Sequence, residues 1–197
     1  MEIIIHRLNS IKELQKLDPI FGAEIDIRAY NSNLILNHEP YQDGDKLIDY
    51  LNEYKNKTLI LNIKEAGIED DVLKLVKSQS EIKSYFLLDV EFPYIFSASK
   101  KGEKNIAIRF SEHENIKLAK EYIGKLNWVW IDTITQLPIK KSNIDILNNF
   151  KKCLVCPERW GRPKDIKLYK NFLKKINFNI NAVMTSNIYA KNWISEN

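Results

Sequence analysis

Two cysteines in 197 residues are too few for a disulfide framework, and six glycines with six prolines exclude a collagen-like or mucin-like chain. No apolar run reaches the roughly 18 residues that a membrane span requires. The opening Met1-Glu2-Ile3-Ile4-Ile5-His6 lacks the basic flank and small-residue cleavage site of a secretory signal, so the expectation is a cytoplasmic protein without a membrane span. Neither Gly-x-Gly-x-x-Gly nor a P-loop is present, which removes the usual phosphate turns of nucleotide-binding sheets. Arginine is scarce as well, with five among 30 basic residues. Those 30 stand against 26 acidic residues spread along the chain, for a formal charge of +4, a balance that suits solubility rather than a polyanion-binding surface. No nucleic-acid motif accompanies the lysines, so nucleic acid is not an expected partner. The densest basic run, Lys164, Lys167, Lys170, Lys174 and Lys175, interleaves with Ile166, Leu168, Phe172, Leu173 and Ile176 at helical spacing, as in an amphipathic helix with a solvated face.

What is present is a regular rhythm. With 44% hydrophobic residues the chain can build one well-buried domain, expected over 1–197. Short β-branched or apolar runs near 2–6, 23–28, 58–63, 84–89, 105–109, 127–131, 152–156 and 181–184 read as eight strands, with helical patterns between them. Ser10 with Glu13 and Ser111 with Glu114 fit capping boxes, and Pro163 suits a first helical turn. Eight βα units averaging about 25 residues fit an α/β fold of the compact (β/α)8 TIM-barrel type better than an open doubly wound sheet.

Polar residues gather where each predicted strand ends: His6-Arg7, Glu24 and Asp26, Asn62 and Lys64, Asp89 and Glu91, Arg109, Asp132, Glu158 and Thr185. In this fold chemistry sits at the carboxyl ends of the strands. Side chains alternate along a strand, so Glu24 and Asp26 share a face, as do Asn62 with Lys64 and Asp89 with Glu91. Charges inside apolar strands are costly unless partnered or ion-bound. One account is a structural ion-pair network, for example Glu24 or Asp26 with Arg109 and Lys64. The other is a site in which the acidic pair offers oxygen ligands to a hard divalent cation, Arg and Lys neutralise a phosphoryl group, and His6 and His38 exchange protons.

With these residues in place, the chain resembles the glycerophosphodiester phosphodiesterase family, a (β/α)8 group related to phosphatidylinositol-specific phospholipase C. The resemblance rests on His6-Arg7-Leu8, Glu24-Ile25-Asp26, His38-Glu39-Pro40 and Asn62-Ile63-Lys64, roughly the first 65 residues, with Ala182-Val183-Met184-Thr185 similar to the last family strand. It implies a metal-dependent phosphodiesterase acting on a small phosphodiester, glycerophosphodiester-like or envelope-glycan-related, with Mg²⁺ or Ca²⁺ as cofactor. By the resemblance His6 and His38 are general acid and base, Arg7 and Lys64 stabilise the transition state, and Glu24 and Asp26 are metal ligands. Two positions depart from the family pattern. Leu8 replaces a glycine, and Asn62 replaces the third metal-binding glutamate. An amide oxygen attracts a cation less strongly than a carboxylate, so Asp89 or Glu91 is expected to supply the lost charge. The same departure supports two alternatives, a phosphate-ligand-binding module with attenuated catalysis and a lyase that releases a cyclic phosphate.

Other residues carry weaker signals. Cys153 and Cys156 lie three apart on one predicted strand and so face opposite ways, which rules out a shared zinc. His113 reads as a surface residue, and Trp128 and Trp130 as either a core layer or an aromatic wall. Arg109, Glu158 and Trp160 are candidates for substrate binding, Trp160 against a sugar, glycerol or base and Arg109 as either a phosphate anchor or an ion-pair partner.

Overall fold

The computed structural model describes residues 1–194. Eight parallel strands, β1 (Glu2–Ile5), β2 (Gly22–Tyr30), β4 (Leu59–Ile63), β5 (Tyr85–Leu88), β6 (Ala107–Phe110), β7 (Trp128–Ile131), β8 (Lys151–Val155) and β9 (Ala182–Thr185), alternate with helices in the sheet order β5-β4-β2-β1-β9-β8-β7-β6, and a ninth strand, β3 (Asn33–Leu36), pairs with β2. This is the (β/α)8 TIM-barrel class. The chain divides into two compact units, Ile4–Phe96 and a second made of Met1–Ile3 with the residues from Ser97 onward.

Within residues 4–96, the end of β1 (Glu2–Ile5) pairs with β2 (Gly22–Tyr30) through Ile4 and Ile5. Next come β4 (Leu59–Ile63) and β5 (Tyr85–Leu88), parallel to β2, with Asp26 opposite Asn62. Every residue of β4 is buried, as expected for a parallel strand covered on both faces. Ile25, Ile27, Leu59, Ile60, Leu61 and Phe86 form the apolar core. Helices α1 (Ile11–Leu14), α2 (Leu47–Glu53) and α3 (Glu69–Lys77) belong to this unit, and α4 (Phe92–Lys100) starts in it and ends beyond its last residue, Phe96. Ser10 caps α1 as expected, accepting from the Glu13 amide and donating to its carboxylate.

β3 (Asn33–Leu36) is the element the sequence pattern missed. It runs antiparallel to the far half of β2, with Tyr30 opposite Asn33. The two connecting residues, Asn31 and Ser32, both have positive φ, at 45° and 61°. That is the geometry of a two-residue primed turn, for which the strong sequence signal is Asn-Gly. S32G removes the steric penalty at the second position and is expected to raise stability by about 0.5–1 kcal/mol in urea denaturation. At Gly44, in the loop that follows, a β carbon would stand 2.2 Å from the Leu36 carbonyl oxygen, so the chain passes too close for a side chain.

In the second unit, β6 (Ala107–Phe110), β7 (Trp128–Ile131), β8 (Lys151–Val155) and β9 (Ala182–Thr185) pair in sequence order, and the Glu2 amide donates to the Asn181 carbonyl. All eight expected strands are present within a residue or two of their predicted bounds. The Ser111–Glu114 capping box is not formed. Helix α5 (Ile116–Glu121) begins later, capped by Asn115, whereas Ser111 Oγ accepts from the His113 and Glu114 amides and the Glu114 carboxylate turns to Arg109. After the short α6 (Ile144–Leu147), Pro163 stands two residues before α7 (Asp165–Lys175), whose N-cap is Lys164, so the proline lies ahead of the first turn in which it was expected. Ile166, Tyr169 and Leu173 form the buried face of α7, while Leu168 and Phe172 are exposed beside its lysines. Cys153 and Cys156 are both buried free thiols, and His113 is exposed. Trp128 and Trp130 are buried, which favours the core-layer reading.

Candidate active site

Glu24 and Asp26 stand on one face of β2 and are almost wholly buried, at 1% and 0% exposure. Burial makes their partners decisive. Glu24 Oε2 accepts from the Arg7 amide at 2.8 Å and lies 3.8 Å from His6 Nε2, while Oε1 accepts from Asn62 Nδ2 at 2.8 Å. The Arg7 amide is aimed there because Arg7 adopts φ +55°, a left-handed conformation rare outside glycine. Asp89, at the end of β5, has the same φ of +55°. Non-glycine residues in this region are a recurring feature of functional sites.

Asp26 is the more heavily compensated carboxylate. Lys64 Nζ lies 3.0 Å from Oδ1, and Arg7 Nε lies 3.8 Å from Oδ2. Asn9 Nδ2 donates to Oδ2 at 2.8 Å, and the Asp26 amide returns a bond of the same length to Asn9 Oδ1. Lys64 also approaches Asp89 Oδ2 at 3.9 Å. Of the two candidates beyond the end of β5, Asp89 therefore joins the group. Glu91 is exposed, and its carbonyl accepts from Tyr94 and Ile95 at the start of α4.

Burial and the charge of Asp26 push the Glu24 carboxyl up to about 7 from an ordinary 4.5, against the opposing hydrogen bonds from Asn62 and Arg7 and the charge of Lys64. The folded protein thus holds this proton more tightly than the unfolded chain. The contribution to stability is fully present below about pH 4.5 and disappears as pH rises through about 7. Folding free energy from urea titrations is expected to fall by about 3 kcal/mol between pH 4.5 and 8 on this account, and E24Q is expected to flatten the slope.

His38 lies on the loop after β3. Its Nδ1 meets Glu39 Oε1 at 2.6 Å, and the imidazole holds the Glu39 carboxyl below its ordinary value. A carboxylate at Nδ1 favours the tautomer with the proton there and the lone pair on Nε2. The His38 carbonyl is bound by Arg28.

Of the buried acceptor oxygens in this group, Asp26 Oδ1 faces the Lys64 ammonium at 3.0 Å, whereas Asn62 Oδ1 receives no hydrogen bond. An amide oxygen without a donor, on the strand position paired directly with Asp26, is the kind of oxygen ligand a hard cation takes. Among the described residues no three His, Cys, Asp or Glu side chains form a metal-binding group by themselves, so the Asn62 amide oxygen would have to complete the set.

The three residues expected to bind substrate belong to the other unit and have partners there. Arg109 donates to Glu114 and Asp132, both at 2.8 Å, which is the ion-pair reading of this residue. Trp160 donates its indole N–H to Asp132 at 2.9 Å while its ring stays half exposed. Glu158 accepts from the Thr185 hydroxyl and the Ser186 amide.

Sequence reading overlooked Asn9 and Arg28. Arg28 carried a signal, since it continues the Glu24, Asp26 face at period two. Asn9 carried none, because only the folded loop brings it to Asp26. No protein family, curated protein or solved structure matches the chain.

Proposed function

We propose that this protein cleaves a small phosphodiester by general acid–base catalysis. The observation that carries the reading is the convergence of His6, Arg7, Glu24, Asp26, Asn62 and Lys64, from three separate strand ends, into one connected polar group. His38 Nε2 accepts the proton of the attacking hydroxyl, whether water or a neighbouring hydroxyl of the substrate. That oxygen bonds to phosphorus, the bond from phosphorus to the departing alcohol breaks, and His6 gives the leaving oxygen its proton. Arg7 and Lys64 offset the negative charge that grows on the phosphoryl oxygens. Glu24, Asp26, Asn62 and Asp89 would hold a divalent cation, Mg²⁺ or Ca²⁺, which when bound supplies further neutralisation of the phosphoryl group.

The test is hydrolysis of a panel of glycerophosphodiesters and a chromogenic phosphodiester in Mg²⁺, Ca²⁺, Mn²⁺ or chelator. Turnover that depends on His6 and His38 is expected, and phosphorus NMR separates a cyclic product from a hydrolysed one. Absence of product from every member refutes the proposal. Two contacts favour a second reading, a phosphate-ligand-binding module: Lys64 already neutralises Asp26 at 3.0 Å, and Asn62 donates to Glu24 instead of adding a charge. Tight binding of a phosphorylated ligand with no product after long incubation would select it.

A further inference from the structure

Arg28 makes a set of bonds that the proposed reaction does not use directly. It sits on β2 two residues beyond Asp26, with its side chain mostly buried at 17% exposure. Nε and one terminal nitrogen donate to the His38 carbonyl at 3.1 and 3.0 Å, and the other terminal nitrogen donates to the Lys64 carbonyl at 3.3 Å. That second nitrogen also stands 3.6 Å from Glu65 Oε2, while Glu65 Oε1 accepts from the Ala29 amide at 2.6 Å. Glu65 therefore braces the fork from the solvent side.

The hairpin does not need this side chain. Arg28 lies opposite Ile35 in a ladder of four residue pairs between β2 and β3, which main-chain bonds hold together. The guanidinium joins two loops whose first residues β2 already holds, through the Asn37 amide on the Asp26 carbonyl and the Lys64 amide on the Ile27 carbonyl, and the two carbonyls it takes belong to the residues bearing the imidazole and the ammonium. A planar fork with five donors can bridge two carbonyl oxygens at fixed spacing, whereas a lysine offers one rotating point charge.

We propose that Arg28 is a positioning residue, which sets where the His38 imidazole and the Lys64 ammonium stand by fixing their main-chain carbonyls. The inference rests on the phosphodiesterase reading for its catalytic consequence, but its geometric part can be tested alone. The chain has only three histidines, so imidazole proton–nitrogen correlation spectra resolve His6, His38 and His113 individually. In full-length R28A and R28K, the His38 signals are expected to move or broaden while those of His113 stay in place. On the chromogenic phosphodiester both variants are expected to lose about 10–100-fold in kcat with KM within about threefold of the parent. R28K is the informative variant should R28A fold poorly: it is expected to keep the parent melting temperature within a few degrees without recovering kcat. A purely structural role would move melting temperature and rate together and let R28K restore both. Unmoved His38 signals in a folded variant overturn the proposal, as does a kcat within twofold of the parent. If the parent shows no turnover at all, the phosphodiesterase reading fails, while the His38 spectra still decide whether Arg28 holds that loop.

Discussion

H6A is expected to lower cleavage of an unactivated alkyl phosphodiester by about 10³-fold, a loss typical of removing a positioned general acid. The proposed assignment of His6 as acid and His38 as base draws on their surroundings. His6 is mostly buried at 11% exposure and stands 3.8 Å from the Glu24 carboxyl. His38 is more open at 34%, and its Glu39 contact at Nδ1 leaves Nε2 to accept. These roles make distinct predictions with leaving groups. A nitrophenolate departs without protonation, so H6A is expected to be far less impaired on a nitrophenyl ester than on an alkyl ester. H38A is expected to lose rate on both, because deprotonation of the nucleophile is common to both. Steady-state rates of the two variants on the two esters give the comparison. Activity that survives both replacements on the alkyl ester would remove the catalytic assignment, and equal losses for H6A on the two esters would remove its role as acid.

K64M is expected to destabilise the fold by about 4 kcal/mol, the scale of leaving one member of a buried ion pair without its partner. Asp26 is buried in full, and Lys64 at 3.0 Å is the nearest cation to it. Arg7 is farther away and 41% exposed, so solvent screens its contribution. Asn9 continues to bind Oδ2 but brings no charge. The double variant D26N/K64M is expected to recover most of the loss, because the cost lies in the orphaned charge more than in the missing contact. Urea denaturation of the two single variants and the double variant closes the cycle. A single K64M loss below about 0.5 kcal/mol would mean that Asp26 does not depend on this ammonium for its charge. Calcium or magnesium added to K64M is a further probe: a cation that takes the vacated place beside Asp26 Oδ1 raises the midpoint of K64M more than that of the parent.

The parts of this protein legible in its sequence are those governed by local patterning. Leu59–Ile63 could be recognised as a strand because five consecutive apolar or amide residues bounded by polar ones suit a parallel strand buried on both faces. The period of two placed Glu24 with Asp26 and Asn62 with Lys64. The hairpin β3 was missed since Asn31-Ser32 adopts its turn without the glycine that usually announces one. Ser111 misled for a related reason. The Ser-x-x-Glu spacing suited a helix start, but the Arg109 guanidinium drew the Glu114 carboxylate away from the cap and left Asn115 to begin the helix. Trp160 was read for its ring alone, while its N–H had a buried acceptor waiting in Asp132.

The chain by itself determined the eight-strand rhythm, the strand ends at which polar residues occur, and which pairs share a face, since all three follow from the pleat and from the cost of burying polar groups. Only the tertiary structure decided who pairs with whom. It gave Asp26 to Lys64 and Asn9, joined Glu24 to Asn62, His6 and the Arg7 amide, and tied the His38 and Lys64 loops to Arg28. The reason is that Coulomb attraction and desolvation depend on distance and burial in space, whereas sequence spacing reports distance only along a strand or a helix turn.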